Sequence, residues 1–505
     1  MGRKLAGKSR KTSKRKSCEG TLTADQCAKQ FLRGLQPSTD AKPADPIDDL
    51  DFEDDEIIEE VPEEVIMNDD GDDDRMEDGS DDDGDKNVSK TVWDPRLHKL
   101  EEGEELQVDN SAYTVYHSLK VEWPCLTFDI IRDQLGAVRV KPPYQLTVAA
   151  GTQAEQGDQN KVCIWRVSNL CSTQHDDDSS SDEDDDDAED EGMDGGLPII
   201  IDREFAHPGA VNRLRSCPQM PHILGTWSEK GSVYLWDAKE YTDSLDNAPK
   251  QLLTSKLSPL FQFSGHRDQG YALDWSPAVS GRLATGDCSN LIHVWNPRES
   301  TWDVQQAPFK GHQASVEDLQ WSPNEQGVFA SCSVDKSIRI WDTRSSAKAM
   351  LVVDNAHDMD INVMSWNQSV AHLLASGCDD GSFKIWDLRQ FRSGSAAGFF
   401  RWHEKPVTSI QWHPTQDSVL AITSEDDSCT IWDMSVELDR EELQQGKGAG
   451  GADLGNLDIP PQLVFVHRGQ SQIKDIRFHP QIPSLITTTA FDGFNFFKPD
   501  NLEAL

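Results

Sequence analysis

Histidine and aspartate are the side chains that most readily exchange protons, and this chain sets them out on a period. His207, His266, His312, His357 and His403 each stand 29 residues before a tryptophan: Trp236, Trp295, Trp341, Trp386 and Trp432. His467 holds the same register with Phe496. Asp335, Asp380 and Asp426 lie six residues before their tryptophans. A histidine beside a carboxylate is a common acid–base pair. An active site needs that pair once, so its recurrence marks a structural position. His413 and His479 fall at strand ends and read as packing or surface residues. No HExxH, GxxxxGK[ST] or GxSxG motif occurs, nor a GxGxxG followed by a helix. The Asp-Asp pairs sit in acidic runs or turns, without the fixed geometry that catalysis or a hard cation needs. The chain therefore reads as non-enzymatic, with no cofactor and no metal.

The elements that carry these residues are short strands. Phe329–Ser333, Ser337–Trp341 and Ser382–Trp386 alternate and are rich in β-branched or aromatic residues. Pro and Gly clusters punctuate them. Between each histidine and its tryptophan lies a third mark: Trp275-Ser-Pro277, Trp321-Ser-Pro323, Trp366, Trp412-His-Pro414 and Phe478-His-Pro480. Successive histidines are 46, 45 and 46 residues apart from His266 to His403. Aspartate follows the tryptophan at Asp237, Asp342, Asp387 and Asp433.

These marks resemble the WD-repeat family, in which each unit is a four-stranded propeller blade. The resemblance implies an all-β, seven-bladed β-propeller over 125–498, with an acidic insertion at 172–196 and a loop at 434–461. Six units carry the histidine. A degenerate first blade is read from Leu126–Ile131, Tyr144–Ala150, Lys161–Val167 and Leu197–Phe205. Too few residues follow Phe497 for an outer strand, so the segment before residue 125 is expected to cover the last blade's edge. In WD repeats the histidine, a strand hydroxyl, the turn aspartate and the tryptophan share a buried hydrogen-bond network. Lys230, Ser289 and Ala490 replace that aspartate in the second, third and seventh blades, which should then rest mainly on packing.

Charge adds a second layer. The 505 residues carry a formal net charge of −41. Residues 48–85 hold 22 Asp/Glu against one basic residue, Arg75, and residues 176–194 hold 13 with no Lys or Arg. Such blocks cannot bury enough apolar surface to fold, so long disordered acidic segments are expected. Their field favours basic protein partners and opposes direct nucleic-acid binding. No run approaches the ~20 apolar residues of a membrane span, so no membrane partner is expected. The ten cysteines are scattered without CxxC pairs and read as reduced, buried thiols. Residues 1–30 form a basic tail whose Ser9–Lys16 run reads as a nuclear or nucleolar address, and 31–100 an acidic region. Ser80, Ser179, Ser180 and Ser181 precede acidic runs and are candidate phosphorylation sites.

Two segments remain. Residues 104–124 lead into Glu122-Trp-Pro-Cys-Leu-Thr127, with Asp109 placed to cap a helix over Ser111–Leu119. A long acidic connection ends in Asp458-Ile-Pro460-Pro461. This combination is similar to the histone-binding WD chaperones, whose N-terminal helix and acidic Pro-Pro loop wall a groove for a basic helix. By position, Tyr113, Tyr116, His117 and Leu119 would form one wall. Asp439, Glu441, Glu442, Asp458, Pro460 and Pro461 would form the other. Ala150–Glu155, Gly270–Pro277, Gly281–Cys288, Ser315–Pro323, Phe329–Arg344 and Lys384–Phe391 resemble the glutamate-rich WD-repeat branch. That branch implies a monomeric, nucleolar chaperone of large-subunit ribosome assembly. It holds a basic ribosomal protein, the third universal large-subunit protein, for delivery to pre-ribosomal particles. Histone chaperoning stays open. So does docking to a cullin-ligase adaptor, since Asp342-Thr-Arg344 and Asp387-Leu-Arg389 resemble the boxes that WD receptors use.

Overall fold

The computed structural model describes residues 2–3, 108–173, 197–245, 257–345, 348–436 and 459–502. These fold as seven antiparallel sheets in a seven-bladed propeller, each blade built from inner to outer strand. Blade one is Cys125–Ile131, Tyr144–Thr152, Lys161–Leu170 and Ile199–Ala206. Blades two to six follow in chain order over 211–468. Blade three's outer strand comes in two pieces, and Gly2–Arg3 lies against Val466–His467 at the rim of blade six. Among the described residues the one α-helix is Lys239–Ser244, after blade two's third strand.

Blade seven draws on both ends of the ring. Asp475–Phe478, Ile486–Ala490 and Gly493–Pro499 supply three strands, and Tyr113–Leu119 supplies the outermost. The closing segment expected before residue 125 is therefore present, but as a strand. The helix expected over Ser111–Leu119 does not form, because pairing with Gly493–Pro499 satisfies that backbone instead. Asp109 still caps, though only the short 3-10 turn Asn110–Ala112: its Oδ1 accepts from Ser111 N at 3.1 Å. The misleading three-residue spacing of Tyr113 and Tyr116 has a local cause. The register slips between Tyr113 and Val115, and this bulge turns both tyrosines to one face. Gly493 fits the closure. Its φ is +137°, and a Cβ there would run into the Leu119 carbonyl oxygen.

The core is distributed. Seven apolar clusters each fill one blade–blade junction. Around the inner strands a second system laces neighbours together. At five of the seven junctions the side chain one residue before the blade's inner aromatic position, or its equivalent, accepts the next blade's backbone N–H. Asp129 takes Ser216 N at 2.8 Å, Asp274 takes Trp321 N at 2.8 Å and Gln320 takes Trp366 N at 2.8 Å. Ser365 takes Trp412 N at 3.2 Å and Gln411 takes Phe478 N at 2.5 Å. Arg215 and Arg477 stand at the two remaining junctions, where a guanidinium has nothing to accept with. They join carboxylates in the central channel instead, Arg215 to Asp475 at 3.1 Å and Arg477 to Asp129 at 3.8 Å. Burial alone would raise the Asp475 carboxyl, but the arginines, Arg215 first, outweigh it and hold it at about 2. Asp274, with less compensation, is pushed up by burial to about 7.

Candidate functional site

The periodic histidines are all buried. Blade four shows the full network. The Trp341 indole N–H donates to Ser331 Oγ at 2.8 Å, that hydroxyl lies 2.7 Å from His312 Nε2, and His312 Nδ1 lies 3.0 Å from Asp335 Oδ2. Burial pushes the Asp335 carboxyl up, but the hydrogen bond and charge of His312, with the hydrogen bonds of Ser337 and Gln313 N, together outweigh it and hold it well below the usual carboxylate range. Blade six repeats this with His403, Asp426 and Trp432, its hydroxyl supplied by Thr430. In both blades the histidine and tryptophan are buried and the aspartate nearly so.

The aspartate template misreads three blades. Blade three does have a carboxylate: Asp287, two positions before Ser289, reaches His266 Nδ1 at 3.0 Å, and Thr285 bridges His266 to Trp295. In blade two the Gly209 carbonyl, 2.8 Å from His207 Nδ1, takes the aspartate's place, with Thr226 bridging to Trp236. Blade seven borrows Tyr113, whose hydroxyl lies 2.8 Å from His467 Nδ1, while Asn495 lies 3.0 Å from Nε2. Blade five fits the template and breaks the network. His357 Nε2 meets Ser376, which also takes the Trp386 indole, but His357 Nδ1 has no partner among the described residues. Asp380 bonds Ser382 instead. His413 and His479 are buried turn caps rather than surface residues, each Nδ1 accepting two backbone N–H groups.

The described members of the expected groove, Tyr113, Tyr116, His117, Leu119, Pro460 and Pro461, lie on the outer strands of blades six and seven or at their ends. Tyr113 is 0% exposed, set edge-on to Phe465 and Phe497, so it serves the fold and has no surface to offer a partner. Tyr116 is half-buried on the same face, its ring 5.1 Å from that of Tyr113, and Val108 and Val464 pack alongside. Leu119 turns to the other face, into the cluster between blades seven and one. His117 turns toward blade one, its Nε2 3.0 Å from the Cys171 carbonyl, and burial lowers its basicity. The four residues thus do not form one wall. A strand sends alternate side chains to opposite faces.

On the loop side, Asp439, Glu441, Glu442 and Asp458 lie outside the described residues. The loop's two ends are pinned together: Gln462 Nε2 donates to the Val436 carbonyl at 3.0 Å. Pro460 and Pro461 are half-buried there, and Leu463 N donates to the Pro460 carbonyl at 3.0 Å as the outer strand of blade six begins. That strand, Leu463–Arg468, collects both sides. Phe465 and His467 meet the closing strand's tyrosines, while Leu463 and Val466 pack toward blade five with Ile459. Ser80 and Ser179–Ser181 also lie outside the described residues, as do 1, 4–107 and 174–196 of the tails and insertion. Arg344 and Arg389 each pair with the aspartate two residues earlier, at 2.8 Å and 2.7 Å.

Sheet order, the histidine–tryptophan networks and the strand-closed ring define a seven-bladed WD-repeat propeller. The WD domain, G-beta repeat model matches residues 303–342, 350–387 and 394–433. A family model for histone-binding protein RBBP4 and its counterpart in the CAF1 complex matches residues 103–171, the closing strand and most of blade one. The chain is 45% identical to Glutamate-rich WD repeat-containing protein 1 of Dictyostelium discoideum, over 83% of this chain and 87% of that protein. It is 38% identical to Ribosome assembly protein rrb1 of Schizosaccharomyces pombe, over 89% and 92%. It is 44% identical to Protein HEAT STRESS TOLERANT DWD 1 of Arabidopsis thaliana, over 82% and 92%. The chain belongs to the glutamate-rich WD-repeat protein family.

Proposed function

We propose that this protein is an assembly chaperone of ribosome biogenesis that holds a basic large-subunit ribosomal protein until it joins the pre-ribosome. The observation that carries the reading is the likeness, along nearly the whole chain, to a relative named for ribosome assembly. The third universal large-subunit protein is the client that this family membership favours. Site of action follows from the reading: the nucleus, mainly the nucleolus, with the basic run Ser9–Lys16 as the address.

Mechanistically, the ring is a rigid grip and the acidic tracts are a screen. The client's segment would enter the rim of blades six and seven, its apolar residues against Tyr116, Val108, Val464 and Pro460–Pro461. Its arginines would meet Asp439, Glu441, Glu442 and Asp458. His117 and Leu119, facing blade one, would bound that rim rather than line it. Residues 48–85 and 176–194 would screen the rest of the client until ribosomal RNA offers a denser line of charge. Phosphorylation at Ser80 and Ser179–Ser181 would strengthen that screen.

A second reading has its own support. The histone-binding model covers the closing strand and blade one, so a histone helix fits the same rim. Cross-linking mass spectrometry on the nuclease-treated native complex separates the two. Cross-links from a ribosomal protein to 437–461 and to the neighbourhood of Tyr116 are expected. Histone cross-links at those positions would favour the alternative, and a client linked only elsewhere would overturn the groove.

A further inference from the structure

Among the described residues, twelve large apolar side chains are exposed, and six of them belong to one end of blade one: Leu135, Val138, Val140, Leu197, Ile199 and Ile200. The connection 132–143 and the entry to Ile199–Ala206 share that end because Tyr144 pairs with Leu170 and Ser168 with Ile199. Such clustering on one blade of seven marks a surface that something covers. The connection does not project by slack. Gln481 of blade seven clasps it, Nε2 donating to the carbonyls of Asp133 at 3.0 Å and Gly136 at 2.8 Å, and Oε1 accepting Asp133 N at 3.0 Å.

The strand itself is unusual for the rim. Ile199–Ala206 is 8 residues long, the longest outer strand in the ring; the outer strands of blades two, four, five and six span 3, 3, 4 and 6. The seven-residue closing strand is the nearest in length. Natural edge strands are kept short or guarded by lysine or proline. This one, IIIDREFA, holds no lysine or proline, and its charges, Asp202, Arg203 and Glu204, leave the first three residues unguarded. One of its edges pairs with Lys161–Ser168, and the sheet order ends there. Ile199 is 57% exposed and Ile200 39%. Ile200, Asp202 and Glu204 alternate along one exposed face, where Lys161 of the neighbouring strand pairs with Glu204 at 2.9 Å, and Arg203 is turned inward to Ser244. The sequence that leads into the strand carries 13 acidic residues and no basic one over 176–194.

We infer that the outer edge of blade one binds an extended basic segment of a partner protein as a fifth strand. On one face the segment's lysines or arginines lie beside Ile200, Asp202 and Glu204; on the other its aliphatic residues lie beside Ile199. Backbone pairing supplies the affinity, and side-chain alternation supplies the choice. Charge selects the occupant: Asp202 and Glu204 on the exposed face disfavour an acidic strand, and the net charge of −41 disfavours a second copy of this chain. The site stands apart from the rim of blades six and seven, so it goes beyond the proposed function and does not depend on it.

The probe is a fluorescent nine-residue peptide alternating isoleucine and lysine, titrated into the full chain by anisotropy. A matched isoleucine–glutamate peptide is the charge control. Two further versions carry backbone N-methyl groups on alternate residues, each blocking one edge. Saturable binding is expected for the lysine peptide, lost in one N-methyl version and kept in the other. The paired substitution Ile199→Ser with Ile200→Ser, at exposed positions that the fold does not need, should weaken binding at least tenfold. Tyr116→Ala should leave it unchanged, which separates this site from the groove. Equal tolerance of both N-methyl versions, unchanged binding to the double-serine variant, or equal binding of the glutamate peptide would each overturn the inference.

Discussion

The Tyr113 hydroxyl lies 2.8 Å from His467 Nδ1, joining residues 354 apart in sequence. Tyr113 opens the closing strand, and His467 is the last periodic histidine. Their bond gives the seventh blade the partner that an aspartate gives the fourth and sixth. Tyr113→Phe keeps the buried ring and removes one hydroxyl, leaving a buried imidazole nitrogen unmatched. A loss of about 1–3 kcal/mol is expected. Tyr113→Ala adds a cavity and should cost about 3–5 kcal/mol. Urea unfolding measures both, and a phenylalanine variant as stable as the parent would show that the hydroxyl carries nothing.

Blades four and five carry the same residues at the same spacing but not the same bonds. Asp335 holds His312, whereas Asp380 does not reach His357 Nδ1. Asp335→Ala should therefore cost about 2–4 kcal/mol, as loss of a partner inside a satisfied network does. Asp380→Ala should cost only about 1 kcal/mol, the worth of its turn bonds to Ser382. Equal costs would contradict the difference between the two blades.

Acid should weaken the ring earlier than its carboxylates alone would. Burial holds His207 at about 4, and His357 and His479 at about 3, against an ordinary 6.5. Below 6.5 the unfolded chain takes up protons that these folded histidines refuse. Each then costs about 1.4 kcal/mol per pH unit until its folded value is reached. Asp335 and Asp426 act lower down. Their folded carboxyls are held below the ordinary 3.8, so their contribution is complete above that value and is lost as pH falls through the folded one. Asp274, held at about 7 against an ordinary 3.8, works the other way between those values but offsets only one of the three histidines. Urea midpoints should therefore be flat between about pH 7 and about 8 and fall below about 6.5. A midpoint unchanged between about pH 7.5 and 5 would refute this.

Client binding and adaptor docking should separate by mutation. Tyr116→Ala removes the half-exposed ring beside Val108 and Val464 and should weaken client binding about tenfold or more, in the range of an aromatic anchor. Arg344→Ala with Arg389→Ala removes two ion pairs on other blades and should leave client affinity unchanged. Loss of client binding in the arginine pair, with Tyr116→Ala silent, would move the site away from the rim.

Gly493→Ala should loosen the closure. A side chain there meets both an unfavourable φ and the Leu119 carbonyl, so about 2 kcal/mol or more is expected from strain. Faster amide exchange at 113–119 would locate the damage, whereas exchange raised evenly around the ring would not fit.

Much of this architecture was legible because its marks are local and repeated. The 29-residue interval fixes a histidine and a tryptophan on one blade, and the WD-repeat resemblance, with strand-like segments upstream, gives degenerate blade one. What failed was anything set by a distant partner. Asp287 reaches His266 from two positions outside the template: the hairpin keeps its length, and the carboxylate comes from two residues after the bridging Thr285 instead of four. Tyr113 and Tyr116 look helical by spacing, and only the pairing with Gly493–Pro499 reveals the bulge that produces it. His117 and Leu119 share a sequence segment with Tyr116 but not a face. The acidic members of the supposed groove lie outside the described residues, so that wall rests on position alone.

A ring fastened by its first strand cannot be completed during synthesis until its last strand exists. Tyr113–Leu119 must wait through some 370 residues for Gly493–Pro499, leaving an unpaired β-edge on every nascent chain. A circular permutant that moves residues 108–121 behind Leu502 would turn this long-range clasp into a neighbouring hairpin. It should fold faster from denaturant while keeping the same native ring.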